Sequence, residues 1–367
     1  MRVLRYELKR IFSFPLMWGL LAVFLVFNFY IIHSEVGYKE FQEHLNGVYE
    51  VMLGNDTSSK YYDQYIQYLD SVSGSYDTLD MLKIKEMKEN MGGFYPKGSY
   101  ANFIDSNYDK LQMRVQDIKA NEKTTQYFYP GDMFQIHKKI YQVMKMCMIE
   151  MLIMMCFSVL YLMDYERLSR SEELVFSCRI GRKDLQIKHK AGLVGGLVYS
   201  LMILLSSFIV FFAYVPMQGL WATPVNSVMV MENSGVWEYP FITFIPMTIG
   251  KEFVLSISIT VLYVITFGVL SGAVQHFIHN SYITMIGTAA GFIILLLLPF
   301  IVKSANWIKT IAALNPASLW YYCSRWFIEN DLPVSFAWSE LVTLGTWLIL
   351  SIIIMLLGHR YLRIKDI

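Results

Sequence analysis

Apolar positions along this chain are gathered into six long runs, separated by polar segments of unequal length. A helix that crosses the hydrocarbon part of a bilayer needs about 20 mostly apolar residues, because no water is present there to satisfy an open backbone. The second run is the shortest, and we expect its helix to extend upstream through the amphipathic stretch Met133–Lys145. The pattern predicts an all-α membrane protein with six transmembrane helices, at about 13–32, 146–163, 191–215, 253–274, 282–302 and 339–358.

Composition indicates the same class of protein. Hydrophobic residues make up 55% of the 367 residues and charged residues only 17%, whereas soluble domains carry about 25% charged residues. The net charge of +1 gives no overall field that would attract nucleic acid. We therefore expect the lipid bilayer to be the main environment of the chain, and we expect no nucleic-acid partner.

Lys and Arg residues are distributed unequally among the segments that join the apolar runs. Basic residues close to membrane helices remain on the cytoplasmic side. The segment 164–190 contains seven of them, whereas 217–250 contains none, and others precede the first run and follow the last. The distribution predicts that the N and C termini are both cytoplasmic, with 359–367 as a cytoplasmic tail. The expected location is a plasma membrane, crossed several times, and in particular the cytoplasmic membrane of a bacterium.

The segment 33–140 is the only polar stretch long enough to form a domain. The predicted orientation places it outside the cell. Runs of helix-favouring residues alternate in it with breaks that contain glycine. All four cysteines lie elsewhere in the chain, so no disulfide framework is expected here. We predict an extracellular, mostly helical domain between the first two transmembrane helices.

The segment 164–190 is too short for a domain and too charged for a membrane. We predict a short helix over Arg167–Cys178, a turn at Ile180–Gly181 and a second helix that runs into the third span. The apolar residues of this segment would give its first helix a face for a partner or for the membrane surface. The alternative is a loop whose positive charge serves only to set the topology.

Three successive spans carry glycines four residues apart. Glycines at this spacing let two helix backbones approach closely, so we expect the third, fourth and fifth spans to form a tightly packed bundle. The pairs are Gly192 with Gly196, Gly268 with Gly272, and Gly287 with Gly291.

The sequence contains no HExxH motif, no GxSxG motif and no phosphate-binding GxxxxGK[ST] loop. We expect no catalytic residue, no metal ligand and no cofactor in this chain, and no enzymatic activity of its own. Glu150, in the second span, is the clearest charged residue inside an apolar run, and such residues are candidates for function. It lines a substrate path, pairs with a cation, or simply lies within reach of the outer interface.

The order of segments has a counterpart in a known family. A basic amphipathic stretch, RYELKRIFSFP, precedes the first span, and a large polar segment follows it. A charged stretch, ELVFSCRIGRKDLQIKHK, separates the second and third spans, and LNPASLWYYCSRWF lies between the fifth and sixth. Over the whole chain this layout resembles the permease subunits of type-2 ATP-binding cassette (ABC) exporters. The segment 33–140 departs from the simplest members, which lack it.

The resemblance implies a role for each segment. Residues 1–12 would form an amphipathic connecting helix on the cytoplasmic surface, and 164–190 would contain the coupling helix that docks into a separate ATPase subunit. The segment 303–338 would be an extracellular loop with a re-entrant helix that closes an outer gate. The gate residues would be Asn315, Pro316 and Trp320. The docking residues implied by the resemblance are Arg170, Glu172, Glu173, Val175, Phe176, Arg179 and Arg182.

The same resemblance implies the partners and the function. ATP and Mg would bind to the partner ATPase, and a second permease copy would complete a homodimer or a heterodimer. The expected function is outward transport of an amphipathic substrate, which would be a peptide, a lipid-like molecule or a drug. The competing interpretation is a membrane receptor or sensor, in which 33–140 binds a ligand and the cytoplasmic loop passes the signal on.

Overall fold

The computed structural model of the protein describes residues 2–54, 58–72, 76–77, 79–121, 136–171, 181–226, 242–303, 306–329 and 332–364. The regular structure within these ranges is helical, and the only strand-like pairings there are two isolated antiparallel bridges. The helices in chain order are α1 (Arg2–Phe12), α2 (Pro15–Val36), α3 (Lys39–Gly54), α4 (Lys60–Val72), α5 (Met81–Gly92), α6 (Ser99–Asn121), α7 (Ile136–Met163), α8 (Tyr165–Leu168), α9 (Gly181–Tyr214), α10 (Ile249–Ile278), α11 (Ser281–Ile301), α12 (Trp307–Ala313), α13 (Pro316–Tyr321) and α14 (Ser339–Ile364).

Six of the described helices are long and apolar enough to cross a membrane, which confirms the predicted number of candidate spans. They are α2, α7, α9, α10, α11 and α14. Helix α7 begins at Ile136, because the amphipathic stretch ahead of the apolar run is helical as well. Helix α9 begins at Gly181, because the helix predicted after the turn at Ile180–Gly181 runs without a break into the third span. Its early turns are stabilised by other helices, since Lys188 and His189 are buried there.

Contacts between helix termini define two ends of the bundle. At one end, α1, α8, the start of α9 and the α10–α11 connection lie together, and Arg167 in α8 donates to the backbone oxygen of His279. We name this the loop end. At the other end, Lys139 in α7 binds Glu35 in α2 at 2.9 Å. We name it the domain end, because it carries α3 to α6. The long helices therefore alternate in direction along the chain.

Helix α7 lies at the centre of the bundle and is the most buried of the six long helices. Helix α9 packs directly against it through two glycines. A methyl group on Gly192 would lie 2.6 Å from the Cα atom of Val159, and one on Gly196 would lie 3.0 Å from the Cα atom of Met155. The two backbones can touch only because no side chain separates them.

The three glycine pairs have different surroundings. Gly268 and Gly272 in α10 lie against side chains of α7 and α9, as the expectation of close packing requires. Gly287 and Gly291 in α11 have no atom within 4 Å of the position that a side chain would take. Helix α11 thus does not join the packed centre through its glycines. Among its residues only Thr284 is buried, so α11 presents an apolar surface to lipid or to another chain.

Between α2 and α7, the described part of 33–140 contains two helix pairs, which belong to different apolar cores. Helix α3 contributes Phe41 and Leu45 to the main core of the bundle, and α4 packs against α3. Helices α5 and α6 form a second apolar core, which includes Ile242 from a distant part of the chain. The second core is therefore completed by residues outside 33–140.

Helix α6 also packs on the chain that follows α11. The hydroxyl of Tyr100 lies 2.8 Å from the hydroxyl of Thr310 in α12. Burial raises the pKa of Tyr100 above its ordinary value, and the hydrogen bond with Thr310 opposes this only in part. The buried Glu329 accepts a hydrogen bond from Tyr108 at 2.8 Å and binds Lys88 in α5. The α5–α6 pair and the segment between α11 and α14 therefore stabilise each other.

We predict that Gly192→Val destabilises the protein, because the new side chain would meet the backbone of Val159. Overpacking of this kind costs about 1–3 kcal/mol. Thermal unfolding of the full chain in mild detergent measures the loss. Gly19→Val is the matched control, since no atom lies within 4 Å of that position. Equal melting temperatures for the two variants would contradict the close α7–α9 contact.

Candidate functional site

Four charged residues form a cluster at the loop end. Arg10 in α1 binds Glu7 of the same helix at 2.8 Å and lies 3.5 Å from Glu166 in α8. Lys188 in α9 binds the other carboxylate oxygen of Glu166. The guanidinium carbon of Arg10 also lies 3.8 Å from the centre of the Tyr165 ring. We name Glu7, Arg10, Glu166 and Lys188 the loop-end charge cluster.

This cluster is largely buried although it carries four charges. Lys188 is 1% exposed and Glu7 is 3% exposed. Its two cations balance its two carboxylates. Removing one member of a buried ion pair leaves a charge without compensation, at a cost of about 3–5 kcal/mol. The cluster therefore holds both flanks of 164–190 in place, since Glu166 lies before its middle and Lys188 after it.

A second set of contacts joins the start of the same segment to the α10–α11 connection. The carboxylate of Asp164 accepts hydrogen bonds from the side chain of Arg167 at 2.7 Å and from the backbone N–H of Ser281 at 3.2 Å. Ser281 in turn donates its hydroxyl to the backbone oxygen of Leu160 at 2.9 Å. The end of α7 and the start of α11 are thus joined directly by hydrogen bonds.

Helix α8 ends in a capped turn. The backbone N–H of Ser171 bonds to the oxygen of Glu166 at 2.8 Å, and that of Arg170 bonds to the oxygen of Arg167 at 3.1 Å. This is the hydrogen-bond pair of a Schellman cap, in which the left-handed position is usually glycine. Arg170 occupies that position with a φ of 54°, at a cost of about 1–2 kcal/mol. Its side chain is exposed, as is that of Leu168.

The short helix predicted over Arg167–Cys178 differs from the described part of the segment. Helix α8 ends at Leu168, and the chain turns at Arg170 because the cap closes there. Of the implied docking residues, Arg170 is exposed at this turn and Arg182 lies in the first turn of α9. Outside the described residues lie Glu172, Glu173, Val175, Phe176 and Arg179.

A groove of about 520 Å³ lies between α2, α7 and α13. Phe24 and Phe27 supply part of its apolar wall, and Glu150 and Trp320 also line it. Lys145 also lines the groove, and its ammonium group donates to the backbone oxygen of Tyr321 at 3.0 Å. A carboxylate in so apolar a surface requires a specific partner.

Asn28 is that partner. Its Nδ2 atom donates to the carboxylate of Glu150 at 2.7 Å and to the hydroxyl of Ser207 at 2.9 Å, so α2, α7 and α9 meet through polar atoms. Glu150 is 5% exposed. The Oδ1 atom of Asn28 is buried and has no hydrogen-bond partner within the described ranges. The carboxylate thus points into the bundle rather than along α7 toward the domain end.

The segment between α11 and α14 folds back along α11. Asn315 caps α13, and its side-chain nitrogen donates to the backbone oxygen of Leu295 at 3.0 Å. Leu295 lies six residues before the end of α11, which is about 9 Å along a helix. Pro316 occupies the first turn of α13, and Trp320 donates to the backbone oxygen of Lys145 at 3.0 Å. The three predicted gate residues thus belong to one element held against α11 and α7.

A larger cavity, of about 760 Å³, lies at the domain end. It is enclosed by the C-terminal end of α5, the end of α11, α12 and α13, and the start of α14. Both apolar and charged side chains line it. The two helices α5 and α14 come from opposite ends of the sequence, so the cavity forms only in the folded protein.

Three histidines from α9, α10 and α14 lie near one another at the loop end. The ring centre of His276 is 6.4 Å from that of His189 and 4.5 Å from that of His359. His276 also hydrogen-bonds the backbone oxygen of Gly272 at 2.6 Å. In the part of the chain that the structure describes, no group of His, Cys, Asp and Glu residues could hold a metal ion. The histidines pack three helices together.

Sequence reasoning singled out Glu150 but missed the residues that surround it and those at the loop end. Asn28 could have been found, because an amide inside an apolar run is costly unless it has a partner. Lys188 gave no such signal, since it stands among other basic residues of 164–190. Its burial follows from the position of α9 against α1 and α8.

No known protein family, curated protein or solved structure matches this chain.

We predict that Asn28→Leu lowers stability, because it removes the donor from a buried carboxylate. Leaving a buried charged group without its hydrogen bond costs about 3 kcal/mol. Glu150→Gln should cost less than about 1 kcal/mol, since an amide can both accept from and donate to Asn28. Thermal unfolding in detergent measures both.

The double variant Asn28→Leu, Glu150→Leu provides the control for this prediction. Replacing both partners by apolar groups is often nearly neutral. Its melting temperature should therefore exceed that of Asn28→Leu alone. An Asn28→Leu variant as stable as the parent would contradict the inferred role of the amide.

Proposed function

We propose that this chain is the permease subunit of an ABC exporter, which forms a translocation path for an amphipathic substrate and is driven by a separate ATPase. In this proposal it crosses the cytoplasmic membrane of a bacterium six times, and its termini and the segment 164–190 are cytoplasmic. The six long apolar helices support the membrane location. The concentration of Lys and Arg in 164–190 and their absence from 217–250 support the orientation.

One observation carries the proposal: both flanks of 164–190 are bound to the rest of the loop end. Glu166 and Lys188 contact each other and α1 through the loop-end charge cluster. Asp164 contacts the start of α11. A partner that pushes on this segment would therefore displace α1, α7, α9 and the α10–α11 connection together. A loop that served only to set the topology would not need buried ion pairs.

The energy for such a push would come from another chain. The sequence has no phosphate-binding GxxxxGK[ST] loop, so ATP and Mg would be bound by the partner ATPase. The exposed Leu168 and Arg170 within the segment offer an apolar and a cationic contact to that partner. The permease would convert the motion into altered access to the path.

The groove beside Glu150 is the candidate for one wall of that path. It lies at the surface of the bundle between α2, α7 and α13, where a second permease, either a copy of this chain or a sibling, could supply the opposite wall. The exposed apolar face of α11 supports the same pairing. In this arrangement Asn315, Pro316 and Trp320 would act at the outer gate, because they lie at the domain end of the groove and hold α13 against α7 and α11.

A membrane receptor is the second candidate, and the cavity at the domain end favours it. A space of about 760 Å³ is within the usual range of about 300–1,000 Å³ for small-molecule sites. A ligand bound there could alter the position of α5 relative to α14. The receptor would then signal through a cytoplasmic kinase or regulator, whereas the exporter would engage an ATPase.

Co-purification separates the two candidates. The full chain, tagged and expressed with its genomic neighbours, should retain an ATP-binding subunit whose ATPase activity responds to amphipathic compounds. Recovery of a kinase or regulator without any ATPase would overturn the export proposal. Within that proposal, altered transport by Glu150→Gln, at unchanged stability, would place the carboxylate on the path.

We predict that Arg170→Gly weakens docking of the ATPase without harming the fold. Glycine adopts the left-handed conformation of Arg170 at no steric cost, so the melting temperature should stay the same or rise. The fraction of ATPase that co-purifies, and its stimulation, should fall several-fold because a charged contact is lost.

Arg360→Gln is the matched control for this variant, since Arg360 is an exposed cation of α14 at the same end of the bundle. It should leave ATPase recovery unchanged. Equal recovery with Arg170→Gly and with the parent chain would remove Arg170 from the docking surface.

A further inference from the structure

The cavity at the domain end has an apolar wall built from several elements. Phe94 follows α5, Phe300 lies near the end of α11, and Leu319 belongs to α13. Trp326 is 2% exposed and lies after α13. Such a wall suits the hydrocarbon part of a ligand, because it removes apolar surface from water.

Cations outnumber carboxylates around the same cavity. Four cationic side chains line it, and Glu340 is the one carboxylate in its described lining. Glu340 accepts the backbone N–H of Phe327 at 2.7 Å. Behind the lining, Glu329 binds Lys88. Counting both carboxylates against the four cations leaves a formal charge of +2 for the described residues. The four cations are Lys88, Lys303, Lys309 and Arg325.

The four cations lie at different parts of the cavity. Lys88 faces the carboxylate of Glu329, and Lys309 donates to the backbone oxygen of Val302 at 2.9 Å at the end of α11. Lys303 is exposed at the same helix end. Arg325 lies after α13 and also lines the cavity. An anionic group in the cavity would therefore meet Lys303 at the exposed end of α11.

The position of Phe300 indicates how a ligand could enter. This side chain lines the cavity and is also 59% exposed on the outward surface of α11. Leu297 and Ile301 are apolar and exposed as well, so the surface of α11 that lipid would cover adjoins the cavity at Phe300. A ligand with an acyl chain could pass from that surface into the cavity without crossing water.

We propose that the cavity binds a single-chain anionic amphiphile of the long-chain fatty acid type. Its carboxylate would contact Lys303, and its chain would lie along Phe94, Phe300 and Trp326. Charge-assisted hydrogen bonds from Lys and Arg select an anionic head over a neutral one. The claim that this ligand is an exported substrate rests on the proposed function, whereas binding itself does not.

The test uses a fatty acid that carries a diazirine in its chain, and the methyl ester of the same molecule as the neutral match. The full chain, without any ATPase, is placed in phosphatidylcholine nanodiscs and irradiated with each probe, and adducts are located by mass spectrometry. The acid should label the peptides that contain Phe300 and Trp326 about tenfold more than the ester does, which corresponds to about 1.4 kcal/mol. Excess unlabelled fatty acid should abolish this labelling.

Charge variants make the test specific. Lys303→Glu should reduce labelling of the cavity by the acid about tenfold and leave labelling by the ester unchanged. Because Lys303 is exposed, this change should not affect folding. Arg325→Gln should act in the same direction. Lys251→Glu is the matched control, since Lys251 is an exposed cation at the domain end that does not line the cavity.

Equal labelling by acid and ester, or labelling by the acid that Lys303→Glu leaves intact, would overturn the proposal. The outcome is independent of the export proposal. If an ATPase co-purifies but the cavity does not prefer the acid, this inference alone fails. If the cavity prefers the acid and no ATPase is recovered, the export proposal fails and the cavity is the ligand site of a receptor.

Discussion

The ammonium group of Lys188 is buried at the loop end of an apolar helix bundle. A charge without a partner in such a place would cost several kcal/mol. Glu166 supplies the partner from the opposite flank of 164–190, and Arg10 and Glu7 complete the charge balance from α1. Because each of these charges requires the others, α1, α8 and α9 cannot shift independently at the loop end. The hydrogen bonds of Asp164 extend the same constraint to the start of α11. The proposed function depends on this constraint more than on any single docking residue.

Helix α7 connects this constraint with the rest of the molecule. It leads into α8 at the loop end, and in its middle it carries Glu150 and the close glycine contacts of α9. Near the domain end its backbone accepts the hydrogen bond of Trp320 from α13. A densely packed helix transmits displacement, because its contacts cannot deform continuously. A movement imposed at 164–190 would therefore reach both the groove and the element that we assign to the outer gate.

The long apolar runs predicted the six candidate spans, because their lengths and composition determine that structure directly. The partners of polar residues could not be predicted in this way. Asn28 and Glu150 are 122 residues apart, and no spacing rule relates them. The glycine spacing correctly predicted a close helix contact at Gly192, but it predicted the same at Gly287, where no atom lies nearby. Spacing shows which residues share one face of a helix, but it does not show whether another helix packs there. The sequence of 33–140 likewise could not predict that the core of α5 and α6 includes Ile242, which lies outside that segment.

The central claim is that an ATP-binding subunit contacts the protein beside the loop-end charge cluster. Leu168 ends α8 and is 49% exposed, whereas Tyr95, between α5 and α6, is 51% exposed at the domain end. A photoreactive amino acid placed at each position in turn, in cells that express the neighbouring genes, tests the claim most directly. We predict a cross-link to an ATP-binding chain from position 168 and none from position 95. A cross-link to such a chain from position 95 alone, or from neither position, would contradict the account.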